Sequence, residues 1–282
     1  DIRQNMATGR GQYVLDQLEE GASSHWDKFY TSHQTNFFKD RHYLKKAFPE
    51  DFGIVYSGSR RDHHLDSTDE DFFIVEIGCG VGNTVLPLLE LNSVIQVQNS
   101  NRRLAVWGLD FSSVAVDLLR EDPRYIQADK DNHRAKSAVW DITSTHPRDV
   151  SSELESCSDI SLLLFCLSAI SPSAMPEAAK NAAATLKPGG ILLLRDYGRY
   201  DEAQLKLGSS RGKRLSENFY VKHDSTRVYY FDLEDLDRLF GARGAGLEVV
   251  EVKYIRRVYK NRSDDTERRR VWVQARFRKP LS

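Results

Sequence analysis

The stretch "FFIVEIGCGVGNTVLPLLE", residues 72–90, decides the fold. Its first six residues read as a buried strand. Glycines follow at 78, 80 and 82, and a helical pattern opens at "TVLPLLEL". A glycine turn between strand and helix lets backbone amides and the helix N-terminus approach a ligand closely. The glycines alone are a weak signal. A dinucleotide turn is Gly-x-Gly-x-x-Gly, whereas here the third glycine comes one residue early and an acid, Glu76, stands before the turn.

Working outward, the same rhythm repeats. "AVWGLD" (105–110) reads as a strand and "SSVAVDLLRED" as a helix, followed by a short strand "SAVWD" (137–141). Then come the apolar strand "ISLLLFCL" (160–167), a helix "AMPEAAKNAAATL", the turn "KPGG" and a strand "ILLLRDY" (191–197). Alternating strands and helices predict a parallel sheet. A basic, aromatic insert spans residues 198–231, and a helix "DLEDLDRLFGARG" follows. Two long runs, "LEVVEVKYIRRVYK" and "RRRVWVQARFRK", flank the polar turn "NRSDD" and predict an antiparallel hairpin. The expectation is an α/β fold with a seven-stranded, mostly parallel sheet closed by a C-terminal hairpin. Residues 91–103 read as an inserted loop. Ahead of the sheet, residues 1–70 form an aromatic and basic extension with helical spacing at Val14, Leu15 and Leu18 and a charged loop over residues 57–71. The division is therefore 1–70 and 71–282.

Bulk properties narrow the classes. The chain has 282 residues with 40% hydrophobic content, enough for one large unit with elaborations. Forty Lys and Arg against 41 Asp and Glu leave a formal charge of -1, so only the distribution of charge can point to a polyanionic partner. Between residues 251 and 282 there are 11 Lys or Arg against 4 Asp or Glu, a local basic stripe. Three cysteines without a Cys-x-x-Cys pair suggest neither a disulfide framework nor a cysteine zinc site, and no metal is expected. A reducing compartment fits, the cytoplasm first, with nucleus and mitochondrion left open. No apolar run reaches the ~20 residues of a membrane span and no charged-then-apolar leader opens the chain, so a soluble protein is expected. The start at Asp1 suggests a trimmed fragment.

Acids recur at the strand ends. Glu76 precedes the glycine turn, Asp110 ends the second strand, where a carboxylate can accept both ribose hydroxyls, and Asp141 ends the third beside Ile142. There a polar group can read an adenine edge while the aliphatic side chain packs on the ring. This series resembles the S-adenosylmethionine site of Rossmann-like class I methyltransferases. The plainer alternative is that each acid caps a helix or turns a loop.

More specific segments carry a closer resemblance: "WDKFY…NFFKDRH" (26–42), "EIGCGVGNTVLPLLE" (76–90), "LDFSS" (109–113), "WDIT" (140–143), "LLLFCLSAISP" (162–172), "LKPGGILLLRDYGRYD" (186–201) and "LSENFYVKHDSTRVYYF" (215–231). They resemble the methyltransferase-like family that forms 3-methylcytidine at position 32 of the tRNA anticodon loop. The C-terminal "RRVYKNRSDDTERRRVWVQARFRKP" looks closer to the branch acting on threonine and arginine tRNAs. Departures are Tyr43 where the family has Trp, Ser225 where it has Gly, and a longer connection at 91–104.

The resemblance implies a cofactor site of Trp26, Tyr30, Glu76, Gly78, Cys79, Gly80, Asn83, Asp110, Phe111, Ser112, Asp141, Ile142 and Leu164. Trp26 and Tyr30, four apart, would share a helix face and close over the cofactor. Cytosine N3 is largely unprotonated at neutral pH, so positioning and electrostatics should dominate over base catalysis. Asp196 is the candidate for contacting the cytosine exocyclic amine, with Arg195 and Tyr197 shaping the pocket; an Arg195–Asp196 pair that merely fixes the loop is the alternative. For RNA, Phe37, Lys39, Arg41, His42, Arg214, Tyr220, Arg268, Arg269 and Arg270 are candidates, against core packing for the rings and a solvated strand face for the arginines. Phe38 and Tyr230 fit the core better. Segment 26–42 would then be a flap serving both cofactor and RNA. Partners implied are the anticodon stem-loop and an accessory protein or tRNA synthetase. Two other functions stay open: a methyltransferase of this fold acting on a small molecule or protein, and a non-catalytic RNA-binding relative.

Overall fold

The computed structural model describes residues 12–35, 37–57, 71–97, 104–130, 134–260 and 267–281. Ten strands occur among them: β1 (Phe72–Ile77), β2 (Leu104–Asp110), β3 (Ala135–Val139), β4 (Ser158–Leu164), β5 (Leu186–Tyr197), β6 (Arg214–Ser216), β7 (Phe219–Val221), β8 (Arg227–Tyr229), β9 (Glu248–Lys260) and β10 (Glu267–Arg278). Seven form one sheet in the order β3-β2-β1-β4-β5-β10-β9. The first five run parallel, β10 is antiparallel to β5, and β9 pairs antiparallel with β10. The sheet thus has the expected composition, mostly parallel with a C-terminal hairpin.

Alternation along the strands splits the core into two layers. Val75, Ile77, Leu109, Leu163, Leu192 and Leu194 face one side, under α9 (Met175–Ala184) and α11 (Leu233–Phe240). Ile74, Val106, Leu162, Leu164 and Leu193 face the other, under α5 (Val85–Val97) and α6 (Ser113–Glu121). Covering both faces is what allows near-continuous apolar strands.

The later part of the N-terminal segment joins this second layer. The whole segment contains α1 (Gln12–Glu20), α2 (Ala22–His33), α3 (Leu44–Ala47) and α4 (Pro49–Ser57). Leu44, Phe48 and Phe52 are buried with Ile74, Leu86 and Leu193. Arg276 of β10 reaches back to Glu50 at 2.5 Å and Asp51 at 2.9 Å, fixing α4 on the sheet.

Several boundaries differ from the sequence expectation. The third strand is Ala135–Val139 rather than 137–141, because its edge position leaves it only partly buried and weakens the apolar signal; Asp141 lies beyond its end. Residues 91–97, expected in a loop, continue α5, while 98–103 lie outside the described residues. A further helix, α7 (Pro123–Lys130), follows α6, and a short α8 (Pro147–Val150) precedes β4. The "KPGG" segment runs within β5, where its pairing with β4 is irregular. The insert at 198–231 is ordered as α10 (Glu202–Ser209) and the antiparallel sheet β6-β7-β8. The charged loop at 58–70 and the "NRSDD" turn lie outside the described residues. Among the described residues no helix is long and apolar enough to cross a membrane.

Phe52 tests whether the N-terminal segment belongs to the cooperative core. It is fully buried, so Phe52→Ala should cost about 3–5 kcal/mol in urea unfolding; a loss under about 1 kcal/mol would mean that α4 contributes little to the cooperative unit.

Candidate active site

Two adjoining cavities, of about 350 and 280 Å³, open at the C-terminal ends of the parallel strands. Both fall near the low end of the roughly 300–1,000 Å³ usual for small-ligand sites. Trp26, Tyr30, Gly78, Phe165, Ala169 and Arg227 line both, so the cavities share a wall.

The glycine turn builds the floor. Gly78 and Gly80 have φ of +74° and +55°, a region that L side chains rarely adopt. A Cβ on Gly78 would lie 2.4 Å from the Cys166 sulfur, and one on Gly80 2.6 Å from the Tyr30 hydroxyl. Beside this turn, the Asp110 carboxylate accepts from Gly80 N at 2.7 Å and Ser112 N at 2.9 Å. Burial pushes the Asp110 carboxyl up to about 6, although the amides of Ser112, Gly80 and Phe111 oppose the shift. Asp110 and Phe111 both line the larger cavity.

The apolar wall comes from the loop after β3. Asp141 lines the larger cavity, and its oxygens also organise the loop. They accept from Thr143 N at 2.9 Å, Thr143 Oγ1 at 2.6 Å and Ser144 Oγ at 2.9 Å, a local turn that sets Ile142 in the wall. Asn181 Nδ2 holds the same turn by donating to the Ile142 carbonyl at 2.8 Å.

The roof is α2. Trp26 and Tyr30 stack at 5.9 Å, as their spacing predicts, and both line the two cavities. Polar ties hold this helix: Ser112 Oγ donates to Asp27 at 2.5 Å, and Glu19 at the end of α1 pairs with Arg227 of β8. Ser112 also caps α6, accepting from Ala115 N.

Glu76 is fully buried and receives Arg41 at 3.0 Å. Burial pushes its carboxyl up to about 7, against the pull of Arg41 and Thr84. Its Oε2 has no hydrogen-bond partner among the described residues. Asn83 Nδ2 donates to the Phe38 carbonyl at 3.1 Å, and Arg41 N donates to the Asn83 carbonyl at 2.7 Å, stitching segment 38–41 to the glycine turn. Cys79, Asn83 and Leu164 line the smaller cavity.

Strand alternation separates the three candidate catalytic residues. Asp196 is fully buried, accepting from Ser168 N at 2.9 Å and Tyr197 N at 2.8 Å, and burial pushes it up to about 6. Ser168 and Tyr197 line the smaller cavity, with Asp196 behind them. Arg195 takes the other face of β5. It donates to Gln274 at 3.1 Å and lies 5.1 Å from the Tyr43 ring and 5.7 Å from Trp272. On the face it shares with Tyr197 and Trp272 it lines neither cavity itself but supports Tyr43 and Trp272, which line the smaller one. No Arg195–Asp196 pair occurs, because consecutive strand residues point to opposite faces.

The RNA candidates scatter. Lys39 lines the smaller cavity; Phe37 is 54% exposed, His42 is exposed, and Arg268 and Arg269 are exposed on the hairpin. Arg41 turns inward to Glu76. Arg214 donates to Ser216 O at 3.2 Å, Tyr220 is buried edge-on against Tyr230, and Arg270 pairs with Asp201 at 2.8 Å while lining the smaller cavity. Phe38 packs with Phe29 and Phe37, and Tyr230 is buried.

Sequence reasoning left several wall residues unassigned: Tyr43, Phe165, Ser168, Lys222, Arg227 and Trp272. Lys222 stands 5.8 Å over the Trp26 ring, and desolvation lowers its ammonium below the usual range. Phe165 has φ +58°, a conformation uncommon for a bulky residue. That feature is invisible in sequence.

The larger cavity fits S-adenosylmethionine. Asp110 supplies a carboxylate, Ile77, Trp140 and Ile142 an apolar slot, and the glycine turn a wall without side chains.

A methyltransferase-domain family model matches residues 63–252. The chain is 38% identical over 290 residues to the tRNA N(3)-cytidine methyltransferase METTL2 of Danio rerio, covering 95% of this chain and 76% of that one. It is 40% identical to tRNA N(3)-methylcytidine methyltransferase Mettl2 of Drosophila melanogaster, over 94% of this chain and 74% of the relative. The Schizosaccharomyces pombe methyltransferase trm140 is 34% identical, with 90% and 74% covered. Among solved structures, a SAM-dependent methyltransferase of Methanosarcina mazei aligns with TM-score 0.52 at 20% identity, over 76% of this chain and 95% of that one. The 1,6-didemethyltoxoflavin-N1-methyltransferase of Burkholderia thailandensis aligns with TM-score 0.56 at 16% identity, over 93% and 90%. These likenesses concern the fold. With the sequence relatives they make the assignment: the chain belongs to the tRNA N(3)-cytidine methyltransferase family, built on the class I S-adenosylmethionine-dependent fold.

Proposed function

We propose that this protein methylates N3 of a cytidine in tRNA, at position 32 of the anticodon loop, using S-adenosylmethionine held in the larger cavity. One observation carries the reading: the cofactor-shaped cavity shares its wall with a second cavity lined by aromatic and cationic side chains. When bound, S-adenosylmethionine supplies an electrophilic methyl group for an unprotonated ring nitrogen. Asp110 orients the ribose, Ile142 and Trp140 grip the adenine, and Trp26 and Tyr30 exclude water from above.

In the second cavity, the target base is proposed to lie against Phe165 and Tyr197. A π face favours the positive charge that the base gains on methylation. Arg41, Arg227 and Arg270 would repel that charge if unpaired, but each has an acid partner in Glu76, Glu19 or Asp201. Asp196 sits behind the Ser168 and Tyr197 amides and is proposed to orient that edge toward the exocyclic amine. Residues 1–70 would act as a cover for both ligands on a catalytic domain of 71–282. Within the family, threonine and arginine tRNAs are the proposed substrates, with an accessory protein or synthetase as an assembly partner. The cytoplasm is the proposed compartment, in keeping with three free thiols.

Incubation with labelled S-adenosylmethionine and native tRNA, with an accessory partner supplied, should place label in 3-methylcytidine after digestion; label in no nucleoside would end this reading. Asp110→Ala should weaken cofactor binding in calorimetry by at least about 100-fold, since hydrogen bonds to a charged acceptor contribute about 1.5–3 kcal/mol each; unchanged affinity would remove Asp110 from the site. Protonation removes the acceptor, and the Asp110 carboxyl is raised to about 6 in the free protein. Cofactor affinity should therefore be flat above pH 7 and decline as pH falls through 6. A flat profile down to pH 5 would contradict the role given to this carboxylate.

A further inference from the structure

Strand register divides the hairpin's arginines between two faces. Arg270 is opposite Arg257 and Arg268 is opposite Tyr259, whereas Arg269 is opposite Val258 and Val271 is opposite Arg256. Because side chains alternate across a strand, Arg257, Tyr259, Arg268 and Arg270 share the face of Trp272. Arg256, Val258 and Arg269 share the other.

Only the first face continues the smaller cavity. Arg270 and Trp272 line that cavity, and the rings step outward from Phe165 to Trp272 at 6.1 Å and from Trp272 to Tyr259 at 6.3 Å. Tyr259 ends the series half exposed, at 50%. The charge pattern changes along the same path. Inside, Arg270 is neutralised by Asp201. Outside, Arg257 and Arg268 are exposed and make no ion pair with a described residue.

We propose that this face is a subsite for the nucleotide next to the target: its base stacks on Tyr259 and its flanking phosphates meet Arg257 and Arg268. The inference rests on the tRNA reading above. Exposed rings flanked by unpaired cations suit single-stranded RNA, whose bases stack on aromatic side chains while phosphates take the positive charge. An apolar partner would not call for the arginines.

The test uses the full chain and an anticodon stem-loop with 2-aminopurine beside the target cytidine. Wild-type protein and Tyr259→Phe should quench its fluorescence. Tyr259→Ala should lose the quench and raise KM for tRNA about 10-fold, the scale of one lost base–aromatic stack, with cofactor affinity unchanged as the check on folding. Arg257→Gln should flatten the salt dependence of binding by about one phosphate contact, roughly 0.7 in log–log slope. Its neighbour Arg256→Gln, the same charge change on the opposite face, should leave the slope as it was. Equal effects of the two arginine changes, or full quenching by Tyr259→Ala, would overturn the subsite while 3-methylcytidine formation by the wild type still stood. Absence of that product in the wild type would instead remove the tRNA reading itself.

Discussion

The site depends on one buried carboxylate bridging two chain segments. Asp110 ends β2, yet its oxygens are taken up by the amide of Gly80, after β1, and by the amide of Ser112, at the start of α6. The turn after β1, the end of β2 and the start of α6 are thereby tied together at the edge where ligands bind. Burying an acid is costly, and its raised proton affinity records that cost. The amides offset part of it, and a ligand hydroxyl can offset more. The glycines must be glycines for the same reason: Tyr30 and Cys166 close down on a backbone that leaves no room for a Cβ.

The N-terminal segment is joined to this edge in two different ways. Leu44, Phe48 and Phe52 enter the core, so α3 and α4 are held by apolar burial. The helices nearer the cavities combine smaller apolar clusters, Leu18 with Leu215, Phe219 and Val221, and Phe29 and Tyr30 with Val81 and Ala115, with polar ties from Asp27 to Ser112 and from Glu19 to Arg227.

Much of the fold was legible because parallel strands covered on both faces are dominated by apolar residues, and β1, β2, β4 and β5 each carry such a run. The edge strand β3 has only its first residue fully buried, and its expected position was two residues late. Glycine and acid positions were legible too, since they sit at strand ends where backbone approach matters. Arg195 was harder. Alternation allows only one of Arg195 and Asp196 to face the same side of β5, but which one depends on the register with Gln274. Lys222, Arg227 and Trp272 reach the cavity from an insert and a hairpin far along the chain, and no local pattern announces that meeting. Arg41 was read as an RNA contact, and its ion pair with Glu76, 35 residues away, has no signal in the local sequence.

The shared wall has a mechanical consequence. Trp26, Tyr30 and Arg227 belong to both cavities, so no displacement of these side chains can be private to one ligand. A shift of any of the three reshapes both cavities at once, so the two volumes are coupled through one helix and one strand.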